Sequence, residues 1–306
     1  MNICVVGAGA IGGWVAAKLA LAGERVSAFG SSGPLDSIGL SESGEMHTAE
    51  LIAPEGVADI LVVAVKATAL AAACDTAASL IGPETVIVPM LNGVPWWFVE
   101  GVQLSSVDPD ARVGATLPTS QIVGCVVHAS CSRSGGTVVV KHADKLIIGE
   151  PDGESSERLA RLFGLLERAS LRPEVTDDVR RAIWYKLWGN ATINPLSALT
   201  RATCDRILAE PGCRAWMLAG MAELASIGAA VGCPISESGE DRMEVTARLG
   251  AFKTSMLQDV EAGRPIELEA LLGAPLELAR LHGIETPALD RLYGVTRLMA
   301  ESLGLV

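Results

Sequence analysis

Hydrophobic positions in the first half of the chain fall into two alternating kinds of segment. Short continuous apolar runs predict strands buried on both faces of a parallel sheet. Between them lie segments with helical spacing, predicted over 14–20, 68–80 and 154–170. The predicted strands cover 2–6, 25–29, 59–65, 85–89, 122–129, 137–141 and 145–149. This alternation is typical of an α/β domain.

From residue 177 onward the strand pattern nearly disappears, and successive helices are predicted instead. They cover 177–199, 205–231, 238–262, 267–282 and 289–303, with prolines placed among them at positions 195, 234, 265 and 287. A chain of 306 residues also exceeds the usual size of a single hydrophobic core. We therefore predict an α/β Rossmann-type dinucleotide-binding domain over 1–176, followed by an all-helical substrate and catalytic domain over 177–306.

The first predicted strand runs directly into a glycine-rich turn and then into a helix. This order of strand, G-x-G-x-x-G and helix is the dinucleotide-binding fingerprint. The first glycine permits the tight turn, the second lets the backbone approach a pyrophosphate, and the third lets helix and strand pack closely. The predicted cofactor-binding loop consists of Gly7, Ala8, Gly9, Ala10, Ile11 and Gly12.

Composition and charge narrow the class of protein. Hydrophobic residues make up 49% of the chain and charged residues 20%, which predicts a globular core rather than disorder. A net charge of −12 argues against nucleic acid and anionic membranes as partners. The apolar stretch 60–80 contains Lys66 and Asp75, so it is a poor candidate for a membrane span. No signal-peptide pattern precedes the first strand. The seven cysteines and four histidines show no metal-ligand spacing, so we expect a cytoplasmic protein with free thiols and no metal.

One predicted helix carries the most informative polar residues. Lys186, Asn190 and Asn194 are spaced at i, i+4 and i+8, which places them on one helical face. Asparagine is a poor helix former, so two on one face of an otherwise apolar helix indicate a binding role. The alternative interpretation is a surface lysine with asparagines that cap the helix near Pro195.

Further candidates lie on either side of this helix. Ser255 stands four residues before Asp259, and Glu267 opens the last-but-one predicted helix after a Gly-Arg-Pro turn. A carboxylate at a helix start is also favoured by the helix dipole alone. Lys66 and Asn92 follow two of the predicted parallel strands, at the carboxyl edge where ligands bind in such sheets.

Taken in order, these motifs resemble the ketopantoate reductase family (2-dehydropantoate 2-reductases). The resemblance implies a Rossmann domain with a helical C-terminal domain, and NADPH-dependent reduction of a 2-keto acid in pantothenate biosynthesis. It also implies that Lys186 is the general acid, and that Glu267 orients it or holds the substrate hydroxyl. In the same way, it implies that Asn190, Asn194 and Ser255 bind the substrate. Lys66 and Asn92 would face the cofactor and the reacting centre, with Asn92 also contacting the substrate.

The chain departs from the family pattern at several positions. The family often has an arginine after the second strand to hold the 2′-phosphate of NADPH, whereas this chain has Ser31 and Ser32 there and no carboxylate. Hydroxyls can bind a phosphate, so we expect Ser31 to contact NADPH, and NADH stays open. Phe252 and Leu272 replace asparagines of the family. Both changes remove polar contacts with the substrate.

Trp96 and Trp97 beside the Asn92 loop either belong to the core or shape a more apolar pocket. In the second case the enzyme would act on another 2-keto acid, as a D-2-hydroxyacid dehydrogenase does. A non-catalytic NADP-binding sensor is a third hypothesis, although a sensor would need neither Lys186 nor Glu267. The sequence leaves the oligomeric state open, with a homodimer among the options.

Overall fold

A computed structural model of the chain describes residues 1–248 and 250–305. The chain divides into two compact units, of which the first comprises Met1–Leu91 with Asp110–Ala182 and the second comprises Asn92–Pro109 with Ile183–Val306. The segment 92–109, which falls within the predicted first domain, belongs with the C-terminal helices. The division at 176/177 stays a prediction. Leu249, inside the predicted helix 238–262, and Val306, at the end of the predicted second domain, lie outside the described residues.

The first unit contains the expected parallel sheet. Its strands are β1 (Asn2–Val6), β2 (Arg25–Gly30), β3 (Gly33–Pro34), β6 (Ile60–Val63) and β7 (Val86–Pro89), in the order β3-β2-β1-β6-β7. All neighbours pair in parallel except β2 with the short β3. Both β6 and β7 are buried along their whole length, as their continuous apolar sequence predicts. The helices of this unit are α1 (Ala10–Leu21), α2 (Leu70–Ala77), α3 (Arg112–Thr116) and α4 (Glu157–Arg168).

A second sheet in the same unit was only partly predicted. It contains β4 (Ser37–Glu42), β5 (Glu45–Glu50), β8 (Gly124–Ser134), β9 (Thr137–Gly149) and β10 (Pro173–Val175). The two strands predicted over 137–141 and 145–149 are one long strand, which pairs with β8 in antiparallel fashion. Strands β4, β5 and β10 were missed. Polar residues dominate β5, whereas β4 carries a short alternating pattern, with Ile38 and Leu40 buried, that was overlooked.

Helices make up the second unit: α5 (Val179–Thr200, whose first residues belong to the first unit), α6 (Cys204–Ala209), α7 (Pro211–Ala230), α8 (Gly239–Ala247), α9 (Ser255–Glu261), α10 (Ala274–Leu281) and α11 (Pro287–Leu303). Two predicted helices were wrong in extent, since 205–231 and 238–262 are each divided. Pro211 begins α7, where proline is well tolerated because the first turn of a helix needs no amide donor. Thr254 caps α9 by accepting a hydrogen bond from the Leu257 amide.

The structure also gives information on two expectations from the sequence, namely that the thiols are free and that no segment spans a membrane. Burial raises the pKa of the Cys131 thiol to about 12 and that of Cys204 to about 11. Both therefore remain protonated near neutral pH and lack the thiolate needed for reactivity. Within the described residues, no helix is both long and apolar enough to cross a membrane.

Candidate active site

The glycine-rich turn after β1 is anchored to the end of β2. The amides of Gly7 and Ala8 both donate to the Phe29 carbonyl oxygen, at 3.0 and 2.8 Å. Gly7 has a φ of +97°, and a Cβ there would lie 2.6 Å from Cγ1 of Val65. A Cβ at Gly12 would collide with the Gly7 carbonyl oxygen. These two glycines are therefore required by the packing of the turn itself.

Gly9, by contrast, is not required by packing. A Cβ built on it would meet nothing within 4 Å, although its backbone (φ −73°, ψ −145°) lies outside the regions that residues other than glycine favour. The first helical bond of α1 runs from the Gly13 amide to the Gly9 carbonyl, so the amides of Ala10, Ile11 and Gly12 precede the helical bonding pattern. Open space beside these donors at a helix N-terminus suits a phosphate group.

Two other predicted cofactor residues lie in the same unit. Ser31 is exposed and comes directly after β2. The strand before Lys66 ends at Val63 rather than at residue 65, so the predicted boundary was two residues too long. Lys66 instead occupies the N-cap position of a short 3-10 helix, Ala67–Ala69, and is half-buried.

In the second unit, three of the predicted residues form a connected chain of hydrogen bonds. The Lys186 Nζ on α5 donates to Oδ1 of Asn92 at 2.9 Å. The Asn92 Nδ2 donates to Oε2 of Glu267 at 3.4 Å. Asn92 thus stands between a cation and a carboxylate that are far apart in sequence, and the structure brings all three together. Their assignment to catalysis stays a prediction.

Asn92 is fixed in this place by its own loop. Gly93 has a φ of +84°, and a Cβ on it would collide with the backbone of Ala270. The Val94 amide donates to the Ala270 carbonyl oxygen at 2.8 Å. Ala270 belongs to a π-helical turn, Glu269–Gly273, that starts just after Glu267. The same contact therefore positions both Asn92 and Glu267.

Glu277 holds a later part of this loop and was not identified from the sequence. Its Oε1 accepts from the amide and hydroxyl of Ser105, both at 2.9 Å. Its Oε2 accepts from the amide of Ser106 at 2.9 Å and from its hydroxyl at 2.6 Å. No local pattern signals this role, because the partners lie more than 170 residues away in sequence.

We expect Glu277→Gln to lower the melting temperature at pH 7 by roughly 3 to 8 °C, because a charge-assisted network is lost. Burial raises the pKa of Glu277 and the hydrogen bonds from Ser106 and Ser105 lower it, with a net value below the ordinary 4.5. The carboxylate therefore stabilises the fold above pH 4.5, and this contribution disappears as the pH falls through the lowered pKa.

Thermal unfolding of parent and variant between pH 3 and pH 8 tests this expectation. The two melting temperatures should converge at the acid end of the range. Glu285→Gln, an exposed glutamate in the loop after α10, is the matched control. A difference for Glu277→Gln that does not change with pH would contradict the proposed role of its charge.

The three remaining residues predicted to bind the substrate, Asn190, Asn194 and Ser255, differ in how far they are exposed to solvent. Asn190 is half-buried and Asn194 is 6% exposed, and both lie on the same helix as Lys186. Among the described residues, neither carboxamide has a hydrogen-bond partner. Ser255 is exposed as the first residue of α9, and the structure shows no hydrogen bond from it to Lys186, Asn92 or Glu267.

The aromatic residues near Asn92 belong to the core. Trp96 and Trp97 are each 5% exposed, and Phe98 is fully buried and stacks on Trp184 at a centroid distance of 5.6 Å. Leu272 is likewise fully buried. Of the two interpretations left open by the sequence, the structure favours core packing over an enlarged apolar pocket. In the part of the chain that is described, no cluster of three metal-ligating side chains occurs.

Comparison with known proteins places these features in a family. Residues 3–153 match the family model described as ketopantoate reductase PanE/ApbA, and residues 178–300 match its C-terminal counterpart. A 2-dehydropantoate 2-reductase from Mesorhizobium japonicum is 38% identical, over 99% of both chains. The crystal structure of a candidate ketopantoate reductase from Ralstonia solanacearum MolK2 superposes with a TM-score of 0.94 at 44% identity, covering 100% of this chain and 99% of that one. A 2-dehydropantoate 2-reductase from Methylococcus capsulatus gives a TM-score of 0.85 at 27% identity, with 99% and 98% covered.

Proposed function

Because the chain belongs to the ketopantoate reductase family, we propose that it reduces 2-dehydropantoate to pantoate with NADPH. The observation within this chain that best supports the proposal is the hydrogen-bonded series Lys186, Asn92 and Glu267. It joins a proton donor, a neutral carboxamide and a carboxylate in one place. A protein that only bound a dinucleotide would have no use for such a series, which argues against the sensor hypothesis.

A nicotinamide cofactor, when bound, would supply the hydride for the keto carbon, and the oxygen of that carbonyl would then need a proton. We assign that proton to the Lys186 ammonium, which can protonate the oxygen and stabilise its negative charge as it develops. Asn92 holds the Lys186 Nζ in a fixed direction through the 2.9 Å hydrogen bond. Glu267 accepts from the other end of Asn92, which fixes the orientation of the carboxamide.

Asn190 and Asn194 supply hydrogen bonds to the substrate in this proposal. Each carboxamide has two donor hydrogens and an acceptor oxygen, and neither is used by a described residue. A ligand that approaches this face of α5 can therefore use these donors and acceptors without breaking a hydrogen bond within the protein. Ser255 is retained as a substrate contact from the family resemblance.

The glycine-rich turn suits a dinucleotide, since the space beside Gly9 is open and the first amides of α1 border it. We propose that Ala8 and Lys66 contact the cofactor as well, and that Ser31 contacts its 2′-phosphate. We expect kcat/KM to be higher with NADPH than with NADH, because no carboxylate follows β2 to bind a free ribose hydroxyl or repel a phosphate.

Steady-state kinetics with each cofactor measures this preference, and Ser31→Asp is the informative variant. A carboxylate there should repel the 2′-phosphate and shift the preference toward NADH. A clear NADH preference in the parent enzyme would contradict the expectation.

The activity itself is tested by following the absorbance of the reduced cofactor with 2-dehydropantoate and a panel of more apolar 2-keto acids. We expect the highest kcat/KM for 2-dehydropantoate. A higher value for an apolar 2-keto acid would favour the dehydrogenase hypothesis, and absence of turnover with every acid would favour the sensor. Size-exclusion chromatography with light scattering measures the oligomeric state, which stays open.

A further inference from the structure

Arg242 on α8 presents a guanidinium against the helix that carries Lys186. A Cβ built on Gly189 of α5 would lie 2.8 Å from Cζ of Arg242, so the guanidinium rests on the helix backbone where a side chain is missing. The same group lies over the ring of Tyr185, with Cζ 5.5 Å from the ring centroid. The glycine is what allows this close approach.

The charge of Arg242 is not balanced within the described residues. Among the residues that the structure describes, none places a carboxylate oxygen within 4.0 Å of the Arg242 guanidinium nitrogens. The Nη1 group donates to Oγ1 of Thr246 at 3.1 Å, whereas Nε is buried without a hydrogen-bond partner. Such a half-buried cation is costly unless an anion accompanies it.

The position of this cation relates it to the proposed chemistry. Gly189 follows Lys186 by three residues on the same helix, a spacing at which side-chain positions lie about 5–6 Å apart. In a 2-keto acid the carboxylate is bonded directly to the keto carbon. A group that binds the carboxylate must therefore lie close to the group that protonates the keto oxygen.

From this arrangement we infer that Arg242 binds the carboxylate of the 2-keto acid substrate; the inference rests on the function proposed above. Arginine suits this role because its planar fork can donate two parallel hydrogen bonds to a carboxylate. A cation at this site would also offset two features of the chain that disfavour binding of a carboxylate. The net charge of −12 repels an anionic substrate, and Phe252 and Leu272 replace polar residues of the family pattern.

Isothermal titration calorimetry with pantoate and with its primary amide tests the inference. Arg242→Met keeps the length of the side chain but removes the charge and the donors. We expect it to weaken pantoate binding by about 30-fold or more. Binding of the uncharged amide should change little, so the variant loses the discrimination between acid and amide. Arg242→Lys, which keeps the charge but not the fork, should fall between the two.

Steady-state kinetics with 2-dehydropantoate provides the second measurement. KM should rise in Arg242→Met while the dissociation constant of NADPH is unchanged. Arg248→Met removes an exposed arginine directly after the same helix and is the matched control, with KM expected to equal that of the parent.

Different outcomes separate the inference from the proposed function. If the parent turns over 2-dehydropantoate but Arg242→Met binds pantoate within threefold of the parent, the inference is wrong and the proposed function stands. Equal weakening of acid and amide would show a structural role for Arg242, and would also overturn the inference. If the parent reduces no 2-keto acid, the proposed function itself is wrong.

Discussion

Lys186→Ala is expected to lower kcat by about 10²–10⁴-fold, the usual effect of removing a positioned proton donor. In the structure Lys186 is half-buried and its Nζ is oriented by Asn92. A water molecule that took its place in the variant would supply neither the positive charge nor the fixed orientation. The dissociation constant of the cofactor should stay close to that of the parent, because the glycine-rich turn lies in the other unit. Stopped-flow measurement of a single turnover isolates the chemical step.

Two companion variants sharpen this expectation. Glu267→Gln should lower kcat less than Lys186→Ala, since in the proposal Glu267 orients the proton donor and does not itself protonate the substrate oxygen. The double variant should be about as slow as Lys186→Ala alone if the residues work as a unit. Lys141→Ala, at an exposed position of β9, is the control. A kcat for Lys186→Ala within about threefold of the parent would show that Lys186 is not the acid.

The parts of the fold that were predicted correctly are those with a strong local pattern. Strands β1, β6 and β7 are continuous apolar runs, and a glycine-rich turn and a helix follow the first of them. Strand β5 escaped prediction because it is mostly polar and exposed, so that its place in the sheet depends on pairing with β4 rather than on a hydrophobic pattern of its own. Strand β4 does show alternation, at Ile38 and Leu40, but over too few residues to stand out without its partner β9.

The same distinction applies to the candidate site. Helical spacing was sufficient to place Lys186, Asn190 and Asn194 on one helix, and the order of motifs was sufficient to identify the family. The spatial relation of Asn92 to Lys186 depends on the fold of the segment 92–109, which no local pattern describes. Arg242 was missed for a related reason, since its significance depends on the absence of a side chain at Gly189.

Gly9→Val is expected to weaken the binding of NADPH by about 100-fold or more while the protein remains folded. The reason lies in what surrounds each glycine of the turn. A side chain at Gly9 would enter open space, and although the backbone φ of −73° is ordinary, the ψ of −145° is one that valine disfavours, so we expect a moderate loss of stability as well. In the proposed complex that space is where the pyrophosphate approaches the backbone, so the valine methyl groups would exclude it.

A matched substitution at Gly12 should mainly reduce stability rather than NADPH affinity. Comparing the two variants therefore separates a binding role from a packing role. Gly12→Val would force a side chain into the Gly7 carbonyl and the Ala64 methyl group, so its main effect should be on stability. Thermal unfolding and calorimetric titration with NADPH of both variants separate the two effects. We expect Gly9→Val to lose affinity with a smaller fall in melting temperature than Gly12→Val. Unchanged NADPH affinity in a folded Gly9→Val protein would mean that the dinucleotide does not bind at this turn.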